Sequence, residues 1–229
     1  MTPSRVLVTG ASRGIGRALA ELLAARGLHV AAGYNRSAAD AAALQAAFPA
    51  LIRLSRFDVS DARSVSAAVT AIEAEIGPLD GLVNCAGVGS TQLLIRQAET
   101  DVQRIVATNL LGSIFCARAV LPSMLKRRTG TIINVSSVAS LRPRPGQAAY
   151  AATKGGIDSF TLALAAEYGA RGIAARSVQF GPVDTSMLSH LSERERVAMG
   201  PMMQATEAAG VIASVLMSAE AHGTVIVSK

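Results

Sequence analysis

The chain is predicted to fold as a single α/β domain whose parallel sheet carries helices on both faces. Three observations predict this. Short apolar runs alternate with amphipathic or Ala-rich stretches along all 229 residues. No linker, repeat or break in composition divides 1–229, and single cores grow to roughly 250 residues before chains split. The first apolar run leads directly into a glycine cluster that opens a helix, as in βαβ units.

Taken in order, 5–9 reads as a strand, 14–26 as a helix and 28–33 as a second strand. An Ala-rich helix over 38–48 is stopped by Pro49, and 51–57 is the third strand. The next helix is capped by Ser60 or Asp61 and closed by Gly77-Pro78, and the fourth strand covers 79–84. Long helices over 100–126 and 150–170 flank a fifth strand at 131–136. Strands six and seven fall at 173–180 and 224–227, with helices between them. Seven strands alternating with helices imply a parallel sheet buried on both sides.

Composition excludes several classes. Half the residues are apolar and 17% are charged, which excludes disorder. His29, His190, His222, Cys85 and Cys116 lack the spacing of a zinc site, so no metal is expected. Two lone thiols fit a reducing compartment. The four residues before the first strand leave no room for a signal peptide, and no uncharged run of 18 apolar residues occurs. A cytoplasmic protein is expected. The net charge of +6 raises the question of nucleic acid, but aromatics are only 3% and the arginines are dispersed apart from Lys126-Arg127-Arg128. An anionic cofactor or an acidic protein partner accounts for the balance.

After the first strand come Gly10, Ser12, Arg13, Gly14, Ile15 and Gly16. Glycines there permit a tight turn, so backbone N–H groups and the helix dipole face a pyrophosphate. NAD enzymes usually place a carboxylate after the second strand for the ribose 2′-hydroxyl. Here the chain reads Tyr34-Asn35-Arg36-Ser37, and Arg36 with Arg13 would suit a 2′-phosphate. NADPH is therefore expected over NADH. Asp58 and Val59 follow the third strand toward the adenine, and Asn84, Ala86 and Gly87 bring the end of the fourth against the cofactor.

Tyr150 and Lys154 lie one helical turn apart on one face, where an ammonium would lower the phenol's pKa and ready it for proton transfer. Ser137 follows an apolar strand and so stands at a strand's carboxyl end, where open α/β sheets bind ligands. Alternation puts Ser136 on the opposite face.

The set Thr9-Gly-x-x-x-Gly-Ile-Gly16, Asp58-Val59, Asn84-x-Ala-Gly87, Asn109, Ser137, Tyr150-x-x-x-Lys154 and Gly181-x-x-x-Thr185 resembles the short-chain dehydrogenase/reductase family across essentially the whole chain. Within it, 8–17, Leu93-Leu-Ile-Arg96, Thr108-Asn-Leu-Leu-Gly112 and 149–156 are most similar to the 3-oxoacyl-(acyl carrier protein) reductases. The resemblance implies a Rossmann-type fold and NADPH-dependent reduction of a carrier-bound 3-oxoacyl chain, in fatty-acid or polyketide-like synthesis. Tyr150 would be the acid, and Ser137, thirteen residues before it as in the family, would hold the carbonyl oxygen. Lys154 would bind the nicotinamide ribose, and Asn109 would anchor a water in a relay from Lys154. Val183 and Thr185 would contact the carboxamide, beneath a flap at 186–204 lined by Met187, Leu188, Met199, Met202 and Met203. Arg128 and Arg171 would grip the carrier as a basic rim beside the pocket, together with Lys126 and Arg127.

Two departures stand out. Phe180 replaces the family's usual proline and is expected to loosen the following loop, and the chain stops at Val225-Ile-Val-Ser-Lys229, short of the family's interface tail. A homotetramer built on the two long helices is expected, with a dimer as second choice. Two other readings stay open: reduction of a free ketone, quinone, sugar or steroid, and a non-catalytic nucleotide-binding subunit.

Overall fold

In the computed structural model, residues 3–189, 192–218 and 222–227 are described. Seven strands form one all-parallel sheet: β1 (Arg5–Thr9), β2 (His29–Tyr34), β3 (Ile52–Arg56), β4 (Gly81–Asn84), β5 (Gly130–Ser137), β6 (Ile173–Phe180) and β9 (His222–Val227). Their order is β3-β2-β1-β4-β5-β6-β9. The chain reverses its winding between β1 and β4, the place where doubly wound sheets open a ligand crevice. This is the Rossmann-type arrangement expected from the sequence.

Two apolar layers enclose the sheet. On one face Leu19 and Leu23 of α1 (Gly14–Ala25) and Leu44 of α2 (Ala38–Ala47) cover Val6, Val8 and Val30; Ile212 and Leu216 of α8 (Ala205–Met217) belong to the same layer. On the other, Val65 and Ile72 of α3 (Ala62–Ile76) pack with Val120 and Met124 of α5 (Gly112–Arg127) and Leu164 of α6 (Ala148–Tyr168) against Leu7, Leu82 and Ile132. Asp61, not Ser60, caps α3 by accepting from the Arg63 N–H.

The helix predicted over 100–126 begins as α4 (Glu99–Val106), passes through a π turn at Ala107–Leu111 and continues as α5. By length and hydropathy, Glu99–Arg127 is apolar enough to cross a membrane, although its charges excluded a span in the sequence. In the fold, Cys116, Ala117, Val120 and Met124 are buried against α3 and the sheet, so the apolarity belongs to the core.

The fourth strand begins two residues later than predicted, at Gly81, although the Asp80 main chain still bonds Arg5 and Thr131 at the sheet's N-terminal edge. There its carboxylate accepts from Ser4 and Arg5 and pairs with Arg127 at 2.8 Å. A second, two-stranded parallel sheet, β7 (Val183–Asp184) with β8 (Met203–Gln204), was not foreseen; strands of two residues leave no periodic trace. A short helix, α7 (Glu193–Ala198), lies in the segment that joins them. Phe180 is 2% exposed, packs into the core and extends the β6 ladder opposite Ser137 and Val227.

Candidate active site

A cleft of about 600 Å³ opens at the carboxyl ends of β1, β4, β5 and β6. Its floor is the turn after β1. Gly10 holds φ +66°, and a Cβ there would lie 2.9 Å from the Ala86 backbone; one at Gly16 would lie 2.5 Å from the Gly10 carbonyl. Side chains at these two positions would force the β4 loop and α1 away from the turn. Thr9 secures the same corner, its Oγ1 accepting from the Cys85 and Ala86 N–H groups at 3.1 Å each. In the sequence, only the place of Thr9 at the end of β1 signals this role.

Most of the predicted cofactor residues line this cleft: Gly10, Ser12, Arg13, Gly14, Ile15, Gly16, Asn35, Arg36, Asp58, Val59, Ala86, Gly87, Val183 and Thr185. Asn35 donates to Asp58 at 2.9 Å, while Ser60 donates to the same carboxylate through its hydroxyl at 2.6 Å and its N–H at 2.9 Å. The Ser60 hydroxyl, then Asn35 and the nearby Arg36 charge, outweigh partial burial and lower the Asp58 pKa below its ordinary value. Arg13 and Arg36 are exposed on the same cleft with no carboxylate pairing among the described residues. A loop of backbone donors beside two uncommitted guanidinium groups fits a dinucleotide with a ribose phosphate.

Asn84 is a correction. It is 4% exposed and lies beneath the cleft, its Nδ2 donating to Asn134 Oδ1 at 2.8 Å, while Asn134 donates to Thr161 on α6 at 2.9 Å. Strand alternation turns its side chain onto the α6 face, so it braces β4, β5 and α6 instead of contacting a cofactor.

Ser137, Tyr150 and Lys154 all line the cleft. The Ser137 Oγ accepts from the Ala139 N–H at 3.1 Å and stands near enough to the Tyr150 hydroxyl to draw its pKa down. Ser136 is buried on the other side, donating to the Lys154 carbonyl. Lys154 is 6% exposed; its Nζ donates to the Val135 carbonyl at 2.7 Å and sits 5.6 Å from the centre of the Tyr150 ring.

The electrostatics differ from the expectation. Burial pushes the Tyr150 phenol up, with the Ser137 hydroxyl opposing it and no lowering by Lys154. Burial brings Lys154 down from 10.5 to about 8, against the pull of Cys85 and Asp158. Desolvation outweighs the pairing because both groups share one dry pocket. The same burial pushes the Cys85 thiol up to about 12, so it stays protonated.

Asn109 is fully buried in the π turn and does not line the cleft. Its Oδ1 accepts from the Val88 N–H at 2.8 Å, and its Nδ2 donates to the Val88 carbonyl at 2.9 Å and to Thr153 Oγ1 at 3.2 Å. The amide is thus committed to protein and clamps the β4 loop to α6. Any water in a relay must meet its main-chain carbonyl, which already accepts from Ser113.

Met187, Leu188 and Met199 line the cleft, but Met202 does not and Met203 is core, 5% exposed beneath α8. His190 and Leu191 fall outside the described residues. The segment is tied down by Arg196 to Asp184 at 2.6 Å and by Arg144 to the Met199 carbonyl at 3.0 Å.

The basic rim is a second correction. Arg128 and Arg171 precede β5 and β6, so they stand at the amino edge of the sheet, the far end from their own cleft. Arg128 donates to the Ala170 carbonyl, and Arg127 is committed to Asp80. The chain after an α/β helix returns to the bottom of the sheet before each strand, which separates these side chains from the strand ends where Ser137 stands.

Fold and cleft together define a dinucleotide-binding α/β protein with a Ser-Tyr-Lys constellation in its crevice. The chain belongs to the short-chain dehydrogenase family, whose model, described as short chain dehydrogenase, matches residues 4–196. It is similar to the 3-oxoacyl-(acyl-carrier-protein) reductase FabG of Vibrio harveyi, 40% identical over 192 residues, 84% of this chain and 78% of that one. FabG of Escherichia coli K12 is 40% identical over 193 residues, 84% and 79% of the two chains. FabG of Staphylococcus aureus Mu50 is 40% identical over 202 residues, 87% and 82%.

Proposed function

We propose that this protein is an NADPH-dependent reductase that converts 3-oxoacyl thioesters on an acyl carrier protein to 3-hydroxyacyl products in fatty-acid synthesis. It would act as one catalytic domain over 1–229, in the cytoplasm, as a homotetramer. The observation that carries the reading is the placement of Ser137, Tyr150 and Lys154 in one cleft with the glycine turn.

The Gly10–Gly16 turn, Arg13, Arg36 and Asp58 would hold the adenine half of the dinucleotide, and Lys154, Val183 and Thr185 the nicotinamide half. Bound there, NADPH supplies the hydride that reduces the carbonyl carbon. Tyr150 gives its proton to the carbonyl oxygen, and Ser137 steadies that oxygen with a hydrogen bond as charge develops. A phenol raised by burial is fully protonated at neutral pH, the state an acid needs. Lys154 stabilises the phenolate once it forms, instead of preparing it beforehand. Asn109 supports the arrangement through Val88 and Thr153, holding the loop that faces Lys154.

Carrier docking at Arg128 and Arg171 fits this fold only across a subunit boundary. Two copies paired antiparallel along α5 and α6 would bring the amino edge of one sheet toward the cleft of the other. On this reading, Arg128→Glu weakens use of a carrier-bound substrate far more than of a free thioester.

NADPH consumption with acetoacetyl thioesters tests the assignment. Wild type is expected to turn over, and Tyr150→Phe to lose 10²- to 10⁴-fold in kcat, roughly the value of a positioned acid. Equal rates would remove Tyr150 from the chemistry, and NADPH binding without turnover of any carbonyl would leave a nucleotide-binding subunit.

A further inference from the structure

The loop between β5 and α6 reads Leu141-Arg142-Pro143-Arg144-Pro145-Gly146, and both arginines line the cleft without entering the chemistry above. The loop is stiff for reasons its sequence supplies. Each arginine precedes a proline, which confines it to extended backbone, and residues two apart on an extended chain point to one side. Its start is pinned where the Leu141 and Arg142 N–H groups donate to the Val138 carbonyl at 3.0 and 2.8 Å. Its end is pinned where the Gln147 N–H donates to the Arg144 carbonyl at 3.1 Å and the Gln147 side chain accepts from the Arg144 N–H at 2.9 Å. Gly146, at φ +88°, abuts the Thr91 backbone so closely that no Cβ fits.

Both arginines are exposed, and neither forms an ion pair among the described residues. Arg144 spends one N–H on the Met199 carbonyl, and no described hydrogen bond uses the Arg142 guanidinium. Among the described residues the single carboxylate lining the cleft is Asp58, already held by Asn35 and Ser60. Two forked donors on a pre-set loop, with no acid beside them, suit a tetrahedral oxyanion and lose little freedom on gripping it.

We propose that Arg142 and Arg144 form a phosphate-recognition site at the substrate mouth of the cleft, taking the phosphate of the pantetheine arm that presents the 3-oxoacyl group. This rests on the reductase reading and narrows its substrate to phosphorylated thioesters. Coenzyme A and a carrier protein both present such an arm.

The test compares kcat/KM, at saturating NADPH, for acetoacetyl-pantetheine and acetoacetyl-4′-phosphopantetheine, which differ only in the phosphate. Wild type is expected to favour the phosphorylated thioester by about tenfold or more, the worth of one charge-assisted hydrogen bond. Arg142→Gln is expected to erase most of that preference without touching the flap, and the double variant Arg142→Gln/Arg144→Gln to erase the rest. A larger loss with acetoacetyl carrier protein than with acetoacetyl-coenzyme A assigns the arm to the carrier, and the reverse assigns it to the free coenzyme. An equal kcat/KM for the two pantetheine thioesters in wild type, or a preference unchanged in the variants, overturns the proposal. So does a variant whose defect is a raised KM for NADPH. Failure of wild type to reduce either thioester is a different result and overturns the reductase reading itself.

Discussion

At the scale of single residues, the site depends on a balance between burial and charge. Lys154, lowered to about 8, is protonated below that pH and neutral above it. The charged form is the one that donates to ribose hydroxyls and stabilises a phenolate, so kcat/KM for NADPH, which reports the free enzyme, is expected to fall as pH rises through about 8. Tyr150 contributes no loss in that range because its own shift is upward. Lys154→Arg, whose guanidinium stays charged, is expected to carry the falling limb to higher pH; a limb that stays at 8 would assign it to another group. Arg36 makes the second test at this scale. Removing a charge-assisted contact to a phosphate costs about 1.5–3 kcal/mol, so Arg36→Glu should raise KM for NADPH roughly 10- to 100-fold while sparing NADH. Parallel changes with both cofactors would place Arg36 outside phosphate recognition.

At the scale of elements, much of the architecture was legible because strand and helix periods leave different traces. β1 and β6 fall where the apolar runs place them, and the glycine turn, Ser137, Tyr150 and Lys154 meet at one cleft as their spacing implies. Asn84 was misread for a physical reason: a polar residue at a strand end suits a ligand or a buried partner equally well, and only the register with Asn134 decides. Arg142 and Arg144 passed unnoticed because a charged loop carries no period, although the flanking prolines were in plain sight. The buried amide chain yields a stability test. Asn84→Ala strands the Asn134 carbonyl oxygen and is expected to cost about 1–3 kcal/mol in urea unfolding, with Thr161→Ala non-additive to it. A different strain sits at the end of α5, where Arg128 holds φ +54° and closes the helix left-handed. Arg128→Gly is expected to raise the unfolding free energy by about 1 kcal/mol.

At the scale of the molecule, the sheet separates two tasks. Its carboxyl edge holds the glycine turn and the Ser-Tyr-Lys group; its amino edge holds Asp80 with Ser4, Arg5 and Arg127, a knot that ties β1, β4 and α5 together. Between α5 and α6 runs an outward-facing groove lined by Leu121, Leu125, Phe160 and Leu164. If these helices pair in the assembly proposed above, Phe160→Glu is expected to convert it to smaller species in sedimentation, and use of carrier-bound substrate should fall with it. Retention of the full assembly would place the contact elsewhere. The π turn at Ala107–Leu111 joins these scales. Such a turn amounts to one supernumerary residue, and excising it would rotate α4 by about 100° about its axis. Asn109 would then lose Val88, and the loop along the cleft its anchor, with no functional side chain replaced: a deletion silent by chemistry and ruinous by rotation.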